Sequence, residues 1–365
     1  MRFAPTADQL DLGAALRESL AGSVDPARAL AEMGVTGLLL PESVGGADAD
    51  LSMLVTVLTE AGYAGAPLPL VDTLAFAPGL LRGAGLSDVA AEVAEGRLWC
   101  AANLDGRNVV PSVAGVVFIA SGGGAVDIRC VDAGAGEAVA AVDPRAGLVR
   151  LPDGAGEVIG RCEDAAVIDR ARLVATVGTA AELVGLARRM LDLTTGYVAQ
   201  RKQFGVPIGS FQAIKHHLAD VALAVEFAAP VVASAAALLD SVPTPAASAA
   251  LPGRGVDLGR NEGPQSGTNR PLDGEGEGTG SRADGGTRAH GIPDETRAEV
   301  SAAKVLASDA ALLAARRAIQ CHGAIGYTTE YELHLFAKRA WALAAAWGSA
   351  DEHRAIVADL VIPPS

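Results

Sequence analysis

Aromatic residues make up only 4% of this 365-residue chain, although half of it is hydrophobic. The apolar content is therefore small, and Ala, the best intrinsic helix former, dominates it. A mostly helical protein is predicted. Basic residues are also short: 29 Lys and Arg stand against 43 Asp and Glu, a formal charge of −14. That balance argues against a non-specific grip on nucleic acid or anionic lipid, while a local basic pocket for a phosphate stays open. The four cysteines, Cys100, Cys130, Cys162 and Cys321, fit neither a disulfide framework nor a zinc site. A reduced, cytosolic compartment is the simple reading. The six histidines form no metal-ligating group. His216 and His217 are adjacent and diverge on a helix, while His322, His334 and His353 are scattered, so surface or supporting roles are expected and no metal. No window of roughly 18 uninterrupted apolar residues marks a membrane span. The opening MRFAPTADQLDLGAAL has no apolar run of signal-peptide type.

A length of 365 residues suits two or three packed lobes. Thr6-Ala7-Asp8-Gln9 is a capping-box pattern ahead of Leu10, Leu16 and Leu20, and it predicts a helix. Further helices are expected over 26–33, 50–63 and 70–83, giving an N-terminal helical domain over 1–96. From 97 to 165 the texture turns to Val, Ile and Gly. Short strands are expected around 109–110, 116–119, 128–131 and 147–151, with Gly122-Gly123-Gly124 as a hairpin turn rather than a phosphate loop. Helical signals return over 166–365. Leu183, Leu186, Met190 and Leu193 share one face, and a second long helix spans 211–239. Residues 242–297 are rich in Pro, Gly, Ser and charge of both signs, and read as a disordered insert. Its tether role is weighed below that of a plain surface loop. Helix resumes near 298, breaks after Gln320, and a last helical region covers 330–360. The order is an α+β arrangement with segregated classes.

Two segments carry chemistry. In Arg201-Lys202-Gln203-Phe204-Gly205-Val206-Pro207-Ile208-Gly209-Ser210-Phe211-Gln212-Ala213-Ile214-Lys215-His216, a helix ends, turns, and restarts at Ser210 as an N-cap. A plain helix corner with Phe204 and Phe211 packed inside explains the glycines, the proline and the rings. It does not explain Arg201 and Lys202 at the mouth of the turn, which suit a phosphate or pyrophosphate. In Gln320-Cys321-His322-Gly323-Ala324-Ile325-Gly326-Tyr327-Thr328-Thr329-Glu330-Tyr331, a helix stops and small residues permit close backbone approach. A simple Gly C-cap is the plain alternative.

Together, in this order, the two segments resemble the signatures of the acyl-CoA dehydrogenase family, with Pro41-Glu42 and Gly45-Gly46 as a weaker third match. The resemblance implies an N-terminal helical domain, a middle β domain and a C-terminal four-helix bundle. It implies FAD bound at a subunit interface, with Arg201, Gln320 and Gly323 gripping the ADP half of a neighbouring subunit's FAD and Phe204 nearby. It also implies α,β-dehydrogenation of an acyl-CoA thioester, with electron-transfer flavoprotein as acceptor.

Two departures qualify that implication. The family's Glu base precedes a Gly-Thr or Gly-Ser pair, and here Trp347 precedes Gly348-Ser349. The family's other base position falls at Ala175, with Glu182 two turns further on. No catalytic base is therefore assigned, and the bulk of Trp347 is expected to fill an emptied acyl site. The stretch that covers the flavin ring in the family reads Ala101-Ala102-Asn103-Leu104-Asp105-Gly106. The favoured reading is a base-lacking subunit of a heteromeric, tetrameric dehydrogenase of the kind found in actinobacterial fatty-acid or steroid degradation. A homologous partner would supply the base and the ring pocket. The alternatives are a homo-oligomeric enzyme using Asp351 or Glu352 as base, and a non-enzymatic scaffold of the same fold.

Overall fold

The structure, a computed structural model, describes residues 5–244 and 291–362. Most of the predicted insert, residues 245–290, lies outside the described residues. Helices α1 (Ala7–Leu20), α2 (Pro26–Glu32) and α3 (Leu51–Ala64) begin the N-terminal lobe. The capping box forms as predicted: Gln9 N–H donates to Thr6 Oγ1, and Thr6 N–H to Gln9 Oε1. The expected helix over 70–83 is instead a π-turn, Val71–Phe76, running into α4 (Ala77–Gly83). Pro78 has no N–H to keep the ordinary ladder in step, and a wider turn precedes it. Helix α5 (Ser87–Ala94) closes the lobe.

The strands are β1 (Trp99–Asn103), β2 (Val109–Pro111), β3 (Ala114–Ala120), β4 (Val126–Cys130), β5 (Glu137–Ala138), β6 (Leu148–Arg150) and β7 (Glu157–Cys162). They form a four-stranded sheet, β1-β3-β4-β7, and a three-stranded sheet, β2-β6-β5. The β1–β3 pair is parallel and the other pairs are antiparallel. The expected Gly122–Gly124 turn joins β3 to β4. Val110, Val117 and Val149 fill a small core between the sheets.

The C-terminal half holds α6 (Ala165–Gln200), a two-stranded hairpin β8 (Lys202–Gln203) and β9 (Val206–Pro207), α7 (Gln212–Ser241), α8 (Asp294–His322), α9 (Leu333–Ala345) and α10 (Ala350–Val361). Helices α6, α7 and α8 pack against one another, with α9 and α10 against α8. Helix α7 is long and apolar enough to cross a membrane by length and composition, where no such segment was expected, but it lies along α6 and α8. The predicted Ser210 N-cap is not formed. Ser210 donates its hydroxyl to Pro207 O within a 3₁₀ turn, and α7 starts after Phe211.

Helices α3 and α6 approach closely through two glycines. A Cβ on Gly62 would stand 2.2 Å from Glu182 O, and one on Gly185 2.0 Å from Thr59 O. A buried ionic group ties the lobes together. Arg339 on α9 donates through Nε to Glu182 on α6 at 2.6 Å and through Nη2 to Leu68 O at 2.9 Å. Arg145, from the turn before β6, donates to Gly65 O and Leu335 O. Losing one member would strand a buried charge.

Candidate functional site

The turn between α9 and α10 carries the base position of the sequence comparison. Trp347 has φ +54° and Gly348 φ +94°. A Cβ on Gly348 would meet His353 Nε2 at 2.5 Å, so glycine is required there. The turn is clamped from below. Lys304 on α8 is fully buried and donates to Gly348 O at 2.9 Å and Ala344 O at 3.1 Å. His353 Nε2 lies 2.9 Å from Trp347 O. A carbonyl only accepts, so Nε2 carries the proton and Nδ1 accepts from Ser301 Oγ at 3.1 Å. Burial lowers the Lys304 ammonium to about 8 and lowers His353, which favours the neutral ring that this pattern requires.

The Trp347 side chain turns inward. Its indole Nε1–H donates to Asp72 Oδ1 at 3.1 Å, and its ring packs on Phe76 with centroids 4.8 Å apart. Phe76 in turn meets Phe118 of β3 edge-on. Asp72 Oδ2 accepts from Ala102 N–H at 3.0 Å. Burial lifts the Asp72 carboxyl to about 6. The other family base position, Ala175, is fully buried on α6 and offers only a methyl group. Glu182 is spent on Arg339. Asp351 is exposed and paired with Arg354. Glu352 closes the α10 capping box with Ser349. Neither acid joins the Trp347–Asp72 group.

A cavity of about 160 Å³ lies between the Pro41 loop, α4 and the first half of α6, and the π-turn reaches it only through Ala75. Leu39, Ala75, Pro78, Val167, Ala171 and Val174 give it apolar walls, and Arg82 and Arg170 also line it. The π-turn thus meets the cavity through Ala75 and Trp347 through Asp72 and Phe76. In the Pro41 loop, Gly46 has no room for a Cβ, which would stand 2.1 Å from Leu40 O.

The two signature segments meet at the far ends of α6 and α8. Tyr197, one turn before Arg201, stacks on His322 at 4.3 Å, and Tyr331 covers His322 at 4.8 Å. Arg201 and Gln320 are exposed, and neither side chain has a hydrogen-bond or ionic partner among the described residues. Gly323 is exposed with φ +65°, and nothing lies within 4 Å of a Cβ built there. The arrangement leaves a guanidinium, an amide and an open glycine facing solvent, a donor set suited to a phosphate group. The Phe204 ring is not packed inside the corner. It stands 92% exposed at φ +52° on the β8–β9 hairpin, and Phe211 is also exposed. An aromatic ring held in that backbone region without cover is costly for an isolated surface.

Sequence reasoning missed Asp72, Lys304 and His353. A single acid inside the apolar run 70–81 and a single lysine within Ser301-Ala302-Ala303-Lys304-Val305 are the signals that were available. His322 and His353, read as surface or supporting residues, are both buried.

The comparisons agree with this architecture. Residues 2–84 match the family profile described as "Acyl-CoA dehydrogenase, N-terminal domain". Residues 168–251 and 283–362 match "Acyl-CoA dehydrogenase, C-terminal domain". The chain is 31% identical to acyl-CoA dehydrogenase IpdE2 of Mycobacterium tuberculosis over 311 residues, covering 85% of this chain and 77% of the relative. Among solved structures it is similar to the ChsE4–ChsE5 complex from Mycobacterium tuberculosis, with TM-score 0.74, 20% identity and full coverage of both chains. It is also similar to a variant of the Tcur3481–Tcur3483 steroid ACAD, with TM-score 0.72, 20% identity and 97% of each chain covered. Motifs, helix order and matched profiles agree, and the chain belongs to the acyl-CoA dehydrogenase family.

Proposed function

We infer that this chain is the base-lacking subunit of an FAD-dependent acyl-CoA dehydrogenase. In this reading it holds the ADP half of an FAD whose ring sits in a homologous partner chain. The observation that carries the reading is a contrast between two ends of the molecule. At the open end, the Arg201 and Gln320 donors are free and Gly323 leaves room, so the residues fit a pyrophosphate. At the other end, the residues do not fit a flavin ring. The Ala102 N–H, in the stretch that resemblance sets against the ring, is already taken by Asp72, and Trp347 fills the base position.

When bound, the flavin supplies the acceptor for the hydride leaving the β carbon of an acyl-CoA. This chain's part is to hold the anionic half through Arg201, with Gln320 donating beside it. Trp347 has no basic atom with which to take the α proton, so that step belongs to a partner's carboxylate. The exposed Phe204 and Phe211 favour assembly over a lone chain, as ring surface of this kind marks a contact. The similarity to the ChsE4–ChsE5 complex and to the Tcur3481–Tcur3483 steroid ACAD, each named for two different proteins, supports a heteromer, and the second supports a steroid-type acyl group. Electron-transfer flavoprotein as acceptor follows from the family resemblance.

The test is FAD affinity of the assembled complex carrying Arg201→Ala. Loss of a charge-assisted bond to an anion costs about 1.5–3 kcal/mol, a weakening on the order of 10- to 100-fold. An unchanged affinity removes this role.

A further inference from the structure

Asp72 is a titratable group that the proposed function leaves unused. It stands in the π-turn Val71–Phe76, and its neighbours in that turn are apolar except Thr73. Strand β1 is one of the two edge strands of its sheet. Two side chains of the π-turn cover that edge. The Thr73 hydroxyl accepts from Cys100 N–H at 3.0 Å and lies 3.3 Å from Cys100 O, and Asp72 accepts from Ala102 N–H at 3.0 Å. The second oxygen of Asp72 accepts from the Trp347 indole at 3.1 Å, 275 residues away in sequence. One carboxylate thus joins a strand edge to the base turn.

We propose that Asp72 is a positioning residue that locks Trp347 inward, so that an internal side-chain pair joins the base turn to the edge of strand β1. This deepens the proposed function and rests on it for the reading of Trp347 as standing in the base position. The carboxylate takes the Ala102 N–H at the strand edge with one oxygen and the indole N–H with the other. The lock has the right chemistry. An indole N–H is donor only, and an ionised carboxylate is acceptor only. Phe76 supplies the face against which the indole rests. Lys304 and His353 hold the Trp347 backbone by its neighbouring carbonyls, so Asp72 is left to set the side chain. An emptied site left unplugged would keep unpaired donors and a void, both of which cost stability.

The titratable groups around the pair are Glu182 on α6, Cys100 on β1, Lys304 on α8, and Glu352 and His353 on α10. Glu182 is paired with Arg339, and His353, lowered by burial, is the other titratable group in contact with the Trp347 backbone.

The experiment is a pH titration of the indole N–H signals of the full chain by ¹H–¹⁵N correlation, with Trp347→Phe assigning the Trp347 resonance. The expected result is a step in the Trp347 signal centred near pH 6 that is retained in His353→Gln and absent in Asp72→Asn. Trp341, on the outer face of α9, should not show it. A Trp347 signal that stays fixed across that range overturns the proposal, and so does a step that vanishes with His353→Gln. If Asp72→Asn does not fold, the wild-type and His353→Gln titrations still decide. A second readout is acrylamide quenching of Trp347 in a Trp99→Phe, Trp341→Phe background. Asp72→Ala should raise it, and unchanged quenching contradicts the lock. Neither measurement involves FAD or a partner, so its failure is distinguishable from failure of the Arg201 role.

Discussion

Replacing Asp72 by Asn should remove a pH dependence that this one acid imposes on stability. Burial lifts the carboxyl from 3.8 to about 6 in the folded chain. The folded state therefore holds the proton more tightly than the unfolded state does. The contribution is fully present at low pH and is lost as pH rises from the unfolded value through the folded one. The lift corresponds to about 3 kcal/mol. Asn does not titrate. Its oxygen can accept from Trp347 or from Ala102, but its NH₂ then faces the other donor, so about one hydrogen bond is lost at every pH, on the order of 1 kcal/mol. The difference in urea unfolding free energy between wild type and Asp72→Asn, followed from about pH 4.5 to about pH 7.5, should change by about 2 kcal/mol in favour of Asn, because part of the effect already falls below pH 4.5. Asp240, also lifted to about 6, is present in both proteins and cancels. Parallel curves for the two proteins would refute the reasoning.

Two further outcomes follow from the geometry. Gly185→Ala places a methyl 2.0 Å from Thr59 O at the α3–α6 crossing. It should lower unfolding free energy by about 1–3 kcal/mol or more, and an unchanged urea midpoint would mean that the helices are not so close. Arg201→Lys keeps the charge but loses the planar fork, so FAD affinity of the complex should fall between wild type and Arg201→Ala, read by flavin titration.

The parts of the fold legible in sequence are those set by local chemistry. Thr6 and Gln9 sit three residues apart and close their own capping box, and Gly122–Gly124 turn where glycines permit positive φ. The signature segments were legible because each is a contiguous string. What was missed depends on distant partners. β1 is made largely of small residues, Cys100-Ala101-Ala102, and gains its identity only by pairing with β3. For Trp347, expected from its bulk to fill a site, the missing parts are its partner Asp72 and the clamps Lys304 and His353 beneath its turn, three residues from three separate elements. The plain helix-corner reading, with Phe204 packed inside, assumes that a ring in a Gly-Pro corner packs against its own helix pair. In this chain the hairpin carries it outward.

The most direct test of the central claim is the flavin content of the purified chain, alone and after co-expression with a homologous dehydrogenase chain. The account predicts a colourless lone chain, and a yellow, active complex whose FAD is weakened by Arg201→Ala in this subunit. A lone chain that carries stoichiometric FAD and oxidises an acyl-CoA would contradict it.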